Sequence, residues 1–133
     1  MKIEEFYVGQ SASLKKVFTS DDVKAFAELS LDKNPIHLDE AYAEQSLFGK
    51  RIVHGFYVGS LISAVFGTIL PGKGAIYLHQ EMNFRKPVYH GEEIIATVVV
   101  TNIKKEKSIL YFDTKCENGR GEIVIDGKAV LKV

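Results

Sequence analysis

Residues 55–72, GFYVGSLISAVFGTILPG, decide the fold because they contain no charged side chain. The length of this run approaches that of a membrane span. Glycine and serine dilute it, however, and Pro71-Gly72 ends it. We predict a buried helix of about sixteen residues, roughly 24 Å long at the standard rise. Since it is apolar on nearly all sides, other elements should surround it.

The segments after this helix change from a helical period to a period of two. In AIYLHQEMNF, residues 75–84, apolar and polar side chains alternate. Residues 92–106, 107–117 and 121–133 are rich in branched and aromatic residues and are separated by short polar turns. With an early strand at residues 11–18, the count is about five, and the last segment forms either one strand or a bulged pair.

Two further helices precede the apolar one. Ser20 followed by Asp21 and Asp22 is typical of a helix start, with a capping hydroxyl and negative charge in the first turn. This helix should end just before Asp32, because the residue that precedes Pro35 is disfavoured in helical geometry. Residues 39–46, DEAYAEQS, indicate a second, short helix.

Short turns between consecutive strands favour an antiparallel sheet over the parallel sheet of alternating strands and helices. The simplest packing is an α+β arrangement in which one curved antiparallel sheet wraps around one central apolar helix. This is the hot dog fold. Residues 1–133 should form it as a single domain, since the chain shows no linker or repeat.

The composition excludes several classes of partner. The chain has 46% hydrophobic and 26% charged residues, as in a soluble globular protein. Seventeen basic residues balance seventeen acidic ones, so nothing indicates binding to nucleic acid or to a membrane. The acidic start contains no export signal, and the lone Cys116 cannot form an internal disulfide. Both features predict a cytoplasmic protein.

The segment DKNPIH, residues 32–37, places a carboxylate, an amide and an imidazole around a proline. Acid/base catalysis needs one group that takes a proton beside another that gives it, and a turn at Asn34-Pro35 could bring Asp32 and His37 together. Taken alone, Asp32 is better explained as a cap or turn residue, and His37 as a surface residue.

Gly55 begins the apolar helix, where free backbone N–H groups and the helix dipole favour negative charge. Glycine lets a ligand approach that backbone closely, so a thioester carbonyl could place its enolate oxygen there. The alternative is a small residue that is needed only for a tight turn into the helix.

Together these motifs resemble the MaoC-like hydratases, and most closely the single-domain (R)-specific enoyl-CoA hydratases. The resemblance runs through residues 26–43, 51–63, 70–78 and 84–94, in order and with matching spacing. Its specific part is the D-x-N-P-I-H core followed by H-G at a helix start.

The resemblance implies a role for each matching residue. Asp32 and His37 correspond to the catalytic pair that adds water to trans-2-enoyl-CoA, giving (3R)-3-hydroxyacyl-CoA in a reversible reaction. Gly55 corresponds to the backbone donor to the thioester oxygen. Asn34 corresponds to the supporting amide of the loop. Ser63 corresponds to a serine near the pair, although a hydroxyl bonded to the preceding helical turn explains it equally well.

The resemblance also implies an acyl-CoA substrate, no cofactor beyond that CoA, and at least a homodimer with sites near the interface. Supply of monomers for polyester (polyhydroxyalkanoate) synthesis is a common setting for such enzymes. Lys73, Arg85 and Lys86 are candidates for CoA-phosphate contacts, with solvated surface as the alternative. No histidine pair has metal-ligand spacing, so we predict no metal.

The remaining histidines receive simpler interpretations. We expect His54 only to pack or to cap the helix. His79 lies on a strand face and His90 in a turn, so we expect both to be solvated.

Three alternative functions stay open. The same pair could dehydrate 3-hydroxyacyl thioesters of acyl carrier protein. A hot dog thioesterase would carry a carboxylate on the central helix, and residues 55–70 contain none. A non-catalytic acyl-thioester-binding subunit would have lost Asp32 and His37, and both are present. Acyl-chain length and the choice between CoA and carrier protein are not readable from spacing.

Overall fold

The computed structural model describes all 133 residues. The helices are α1 (Ser20–Ser30), α2 (Pro35–Leu38), α3 (Glu40–Glu44) and α4 (Gly55–Thr68). The strands are β1 (Ser11–Val17), β2 (Ile76–Gln80), β3 (Asn83–Phe84), β4 (Glu93–Lys104), β5 (Ile109–Asn118) and β6 (Ile123–Lys132). Short 3-10 turns lie at Ile3–Glu5 and Lys105–Lys107.

All six strands form one antiparallel sheet in the order β1-β4-β5-β6-β2, with β3 also pairing with β6. The sixth strand arises because the alternating run at 75–84 divides into β2 and β3. At the break, a Cβ on Gly127 would overlap the carbonyl oxygen of Glu81, so the two backbones approach closely there. The C-terminal segment is a single strand whose pairing with β5 shifts register once, near Cys116.

Helix α4 lies against β1, β4 and β5 through one apolar face. That face contains Val58, Leu61, Ile62, Val65 and Phe66, all buried. Its fourteen residues are slightly fewer than the sequence predicted. None of the helices is long and apolar enough to span a bilayer.

The opposite face of α4 is not covered by this chain. Phe56 is 72% exposed, and Ser60, Ser63 and Gly67 are exposed as well. The expectation that other elements surround the helix on nearly all sides was therefore wrong for this face. The exposed strip continues onto β2, the edge strand of the sheet, where Ile76 and Leu78 are also exposed.

The start of α1 differs by one residue from the sequence prediction. Thr19, not Ser20, caps the helix, because the Thr19 hydroxyl accepts a hydrogen bond from the backbone N–H of Asp22 at 3.1 Å. Ser20 is the first helical residue, and its hydroxyl pairs with Nδ1 of His90 at 2.9 Å. His90 is thus half-buried, and the expectation that it is solvated was wrong. His79 is exposed, as predicted.

Candidate active site

The loop between α1 and α2 positions Asp32. Helix α1 ends at Ser30, and its C-cap, Leu31, has a φ of 70°, in the left-handed region that does not continue the helix. The Asp32 N–H donates to the Ser30 hydroxyl at 3.1 Å, and Oδ1 of Asp32 accepts from the Asn34 N–H at 3.3 Å. These bonds leave Oδ2 without a partner in the loop, on a side chain that is 52% exposed.

Asn34 and Pro35 turn His37 inward. The side-chain oxygen of Asn34 accepts from the Ile36 N–H at 3.1 Å, so it caps α2. Pro35 occupies the first helical position, where no N–H is required. The single turn that follows buries His37, which is only 8% exposed. The alternative of a surface position for His37 was wrong, and the Asn34 side chain holds the loop.

Ile52 determines which nitrogen of the His37 ring carries the proton. Nδ1 of His37 lies 2.9 Å from the carbonyl oxygen of Ile52. A carbonyl oxygen only accepts, so Nδ1 donates and the neutral ring keeps a lone pair on Nε2. That Nε2 lies 3.8 Å from Oδ2 of Asp32. The separation exceeds a direct hydrogen bond, yet both atoms can reach one water oxygen.

His54 joins this pair from the start of α4. Its Nε2 lies 2.9 Å from the backbone oxygen of Asp32, and its ring stacks on that of His37 with centroids 3.7 Å apart. Burial lowers the pKa of His54, the hydrogen bond to the Asp32 backbone partly opposes this effect, and nearby His37 reinforces it. The side chain does not cap α4. Packing was foreseen for His54, but its contacts with Asp32 and His37 were not, and nothing in the sequence spacing indicates them.

Gly55 opens α4 with unused hydrogen-bond donors. The backbone N–H groups of Gly55 and Phe56 have no acceptor within the protein. They lie at the positive end of the helix dipole. The ring of Phe84 covers Gly55 so closely that a Cβ on this residue would lie 2.7 Å from Cε1 of the ring. Gly55 therefore combines tight packing against Phe84 with an unpaired backbone N–H.

A cleft of about 480 Å³ passes Asp32, His54 and Gly55. Most of its other walls are apolar: Phe48, Ile52, Val53, Phe56, Val58, Phe84, Pro87, Val88 and Ile125. Such a cleft can hold an apolar chain while its polar groups act on one end of that chain.

Two of the three candidates for phosphate contacts, Arg85 and Lys86, also line this cleft. Arg85 forms an ion pair with Asp126 at 3.2 Å, and Lys86 forms one with Glu122 at 2.7 Å. Hydrogen bonds from Lys86, Asn118 and Arg120 together lower the pKa of Glu122 to about 2. Lys73 does not line the cleft and is exposed.

Ser63 does not line this cleft within one chain. It is exposed and lines a neighbouring cleft with Tyr77, Leu78 and His79. Phe56 borders both clefts and separates them. The supporting role of Ser63 stays a prediction.

Asp32, His37 and His54 bring one potential metal-binding atom each within 4.8 Å of the others, although the sequence spacing of the histidines predicted no such cluster. One nitrogen of each ring already bonds a backbone oxygen. The two rings are stacked at 26°, so their in-plane lone pairs lie in separate planes and converge poorly on one ion. This donor geometry fits proton transfer better than metal binding.

An antiparallel sheet around one apolar helix, with acid/base groups at the start of that helix, defines a hot dog protein. The model of the MaoC-like domain family matches residues 7–118. An (R)-specific enoyl-CoA hydratase of Rhodospirillum rubrum is 45% identical over 130 residues, which cover 98% of this chain and 90% of the relative. An (R)-specific enoyl-CoA hydratase of Aeromonas caviae is 43% identical over 133 residues, covering 100% and 99% of the two chains.

A solved structure agrees with these relatives. The (R)-hydratase from A. caviae involved in PHA biosynthesis matches with a TM-score of 0.95 at 43% identity, over 98% of each chain. The chain belongs to the MaoC-like domain family.

Proposed function

We propose that this protein is an (R)-specific enoyl-CoA hydratase that reversibly adds water to trans-2-enoyl-CoA and forms (3R)-3-hydroxyacyl-CoA. The observation that carries the proposal is the separation of 3.8 Å between Nε2 of His37 and Oδ2 of Asp32, beside the open N–H groups at the start of α4. The similarity to full-length hydratases over the whole chain supports it.

In the proposed reaction, Asp32 and His37 hold one water molecule between them. One group takes a proton from the water as its oxygen bonds to C3. The other group, which carries a proton at the start of the step, gives that proton to C2, and transfer of the water's proton from the first group to the second restores the pair. The electron pair of the C2–C3 double bond moves toward the thioester oxygen as an enolate and then forms the new C2–H bond. Nε2 of His37 can accept a proton because its lone pair is free.

The N–H of Gly55 is the proposed donor to the enolate oxygen. The loss of one such donor in an enzyme typically raises the barrier by about 3 kcal/mol. The apolar cleft would receive a short to medium acyl chain, and Arg85 and Lys86 at its mouth would meet the CoA phosphates. The thioester itself activates the double bond, so the proposal requires no further cofactor or metal.

We also propose that the protein works as a homodimer. The exposed strip on α4 continues onto edge strand β2, where Ile76 and Leu78 are 54% and 51% exposed. A second copy that pairs along β2 would cover both this apolar surface and the open strand edge.

The test is the loss of enoyl-thioester absorbance when the purified protein is mixed with crotonyl-CoA, with product handedness read by a (3R)-selective dehydrogenase. We expect rapid loss of absorbance, a 3R product, and a rate lowered by about 10²-fold to 10⁴-fold in a folded Asp32→Asn variant. Turnover of enoyl-carrier-protein substrates alone would indicate the dehydratase of fatty acid synthesis instead. No turnover of either substrate class, at any chain length, would favour a binding subunit.

A further inference from the structure

His54 contacts both members of the proposed acid/base pair and directly precedes the proposed oxyanion donor. We propose that His54 is a positioning residue that holds Asp32 and His37 in their reactive geometry through its neutral, Nε2-protonated ring. The inference deepens the proposed function and rests on it. It assigns to His54 a role that neither its sequence position nor capping of α4 explains.

The first contact orders the Asp32 loop. The backbone oxygen of Asp32 can only accept, so Nε2 of His54 carries the hydrogen in the bond of 2.9 Å. Nδ1 of the neutral ring is then an acceptor, and it is buried without a hydrogen-bond partner. Protonation would add a second buried N–H beside His37, again without a partner. The site therefore favours the neutral ring, in line with the lowered pKa of this residue.

The second contact fixes the orientation of His37. The His54 ring stacks on the His37 ring at 3.7 Å, and Phe26 packs against His54 with centroids 4.8 Å apart. Phe26 in turn stacks on Tyr57 of α4 at 4.6 Å. Four rings, those of Tyr57, Phe26, His54 and His37, therefore pack in a row that connects α1 and α4 to His37. The other contact that orients the His37 ring is its hydrogen bond to the carbonyl of Ile52.

The segment 52–55 thus aligns every proposed reacting group. The carbonyl of Ile52 orients His37, the ring of His54 holds the Asp32 backbone, and Gly55 carries the free N–H that we propose as the donor to the enolate oxygen. Because His54 lies between the other two residues, a change in its ring shifts the acid/base pair relative to the oxyanion donor. Misplacements of about 1 Å can lower a rate by about a hundredfold.

Two variants of His54 separate its two contacts. His54→Phe keeps an aromatic ring for stacking but loses the donor to Asp32, whereas His54→Gln keeps a donor of similar reach but loses the stacking. We expect each to lower kcat for crotonyl-CoA by about tenfold to a hundredfold, with KM within about twofold of the wild type. His54→Ala loses both contacts and should lower kcat further.

A comparison variant removes a second histidine, the half-buried His90. His90 also has one ring hydrogen bond and one buried nitrogen without a partner, and it faces the backbone of His37 and Ile52. His90→Gln should lower the melting temperature as the His54 variants do, but should lower kcat less than they do, because His90 neither stacks on His37 nor bonds Asp32. A positioning role also predicts that His54→Phe adds no loss to the residual rate of Asp32→Asn, because both changes act on one step.

The inference is overturned if the folded His54→Phe and His54→Gln variants both keep the wild-type kcat. It is also overturned if the decreases in kcat of His54→Phe and Asp32→Asn multiply fully in the double variant. If the variants do not fold, nitrogen NMR of the wild-type ring decides. A neutral Nε2-protonated His54 supports the inference, and the Nδ1-protonated form overturns it. A wild type that hydrates no enoyl thioester removes the proposed function and this inference together, whereas an active wild type with unaffected His54 variants removes only the inference.

Discussion

Nε2 of His37 and Oδ2 of Asp32 lie 3.8 Å apart, too far for a strong direct bond and close enough to share one water. Nδ1 of His37 is occupied by the carbonyl of Ile52, so the nitrogen that faces Asp32 is the one with a free lone pair. The relationship explains how a half-exposed carboxylate and a buried imidazole can act on the same molecule.

If Asp32 and His37 act as a unit, the decreases in kcat caused by substituting each of them should not add. We expect Asp32→Asn and His37→Ala each to lower kcat by about 10²-fold to 10⁴-fold, and the double variant to be no slower than the slower single one. Stopped-flow or steady-state hydration of crotonyl-CoA measures this, with circular dichroism to verify folding. Independent, multiplying losses would contradict a shared water.

Gly55 and Gly67 form a matched pair of glycines on one helix. A methyl group on Gly55 meets the Phe84 ring, whereas one on Gly67 meets nothing within 4 Å. Gly55→Ala should lower the free energy of unfolding by about 1 kcal/mol, because the added methyl group overpacks the site and displaces the Phe84 ring. It should also reduce kcat, because the methyl group and the displaced ring crowd the free N–H of residue 55. Gly67→Ala should stabilise the helix by about 0.5 to 1 kcal/mol. Urea unfolding measures the free energy of unfolding, and the hydration assay measures kcat. Equal effects of Gly55→Ala and Gly67→Ala would contradict the close contact of Gly55 with the Phe84 ring.

The lowered pKa values of His54 and His90 predict that the free energy of unfolding depends on pH. Burial is the main cause that lowers the pKa values of His54 and His90 below 6.5, so the unfolded chain binds these protons more readily than the folded one. The neutral rings of His54 and His90 contribute to the free energy of unfolding. This contribution is fully present above pH 6.5 and is lost as the pH falls through the lowered pKa values. The loss is at most about 1.4 kcal/mol per pH unit for each histidine.

Urea unfolding at pH 7.5 and pH 5 tests this dependence, and the free energy of unfolding should be lower at pH 5. His90→Gln should show a shallower slope, because one of the two groups is gone. Glu122 does not interfere, since its pKa is about 2 when folded and its usual value is 4.5, both below this window. An unchanged slope in the variant would show that His90 protonates equally in both states.

A charge on the exposed strip should prevent the proposed dimer. Leu78→Asp places a carboxylate on edge strand β2, where pairing with a second copy would bury it. We expect a dimeric wild type and a monomeric variant by sedimentation or light scattering. Leu29→Asp is the matched control, because Leu29 is 85% exposed on α1 and should tolerate the charge. Dissociation by both variants, or by neither, would place the interface elsewhere.

The local structure of the site follows from the sequence. Asn34 and Pro35 form a cap and a first helical turn because their side chains bond or constrain backbone within two residues. The uncharged run beginning at Gly55 forms a helix packed against the sheet, because burial of its apolar side chains favours that position. The sequence alone therefore singles out Asp32, His37 and Gly55.

Only the tertiary structure brings His54 onto both Asp32 and His37, places Ser63 outside the cleft that Asp32 and His54 line, and leaves one face of α4 open. These contacts depend on how α4 docks against the loop after α1, and docking is determined by the shape of the whole core. Composition and period report which face of an element is apolar. Composition and period do not show which distant side chain contacts that face, because the contact depends on how all the helices and strands pack together.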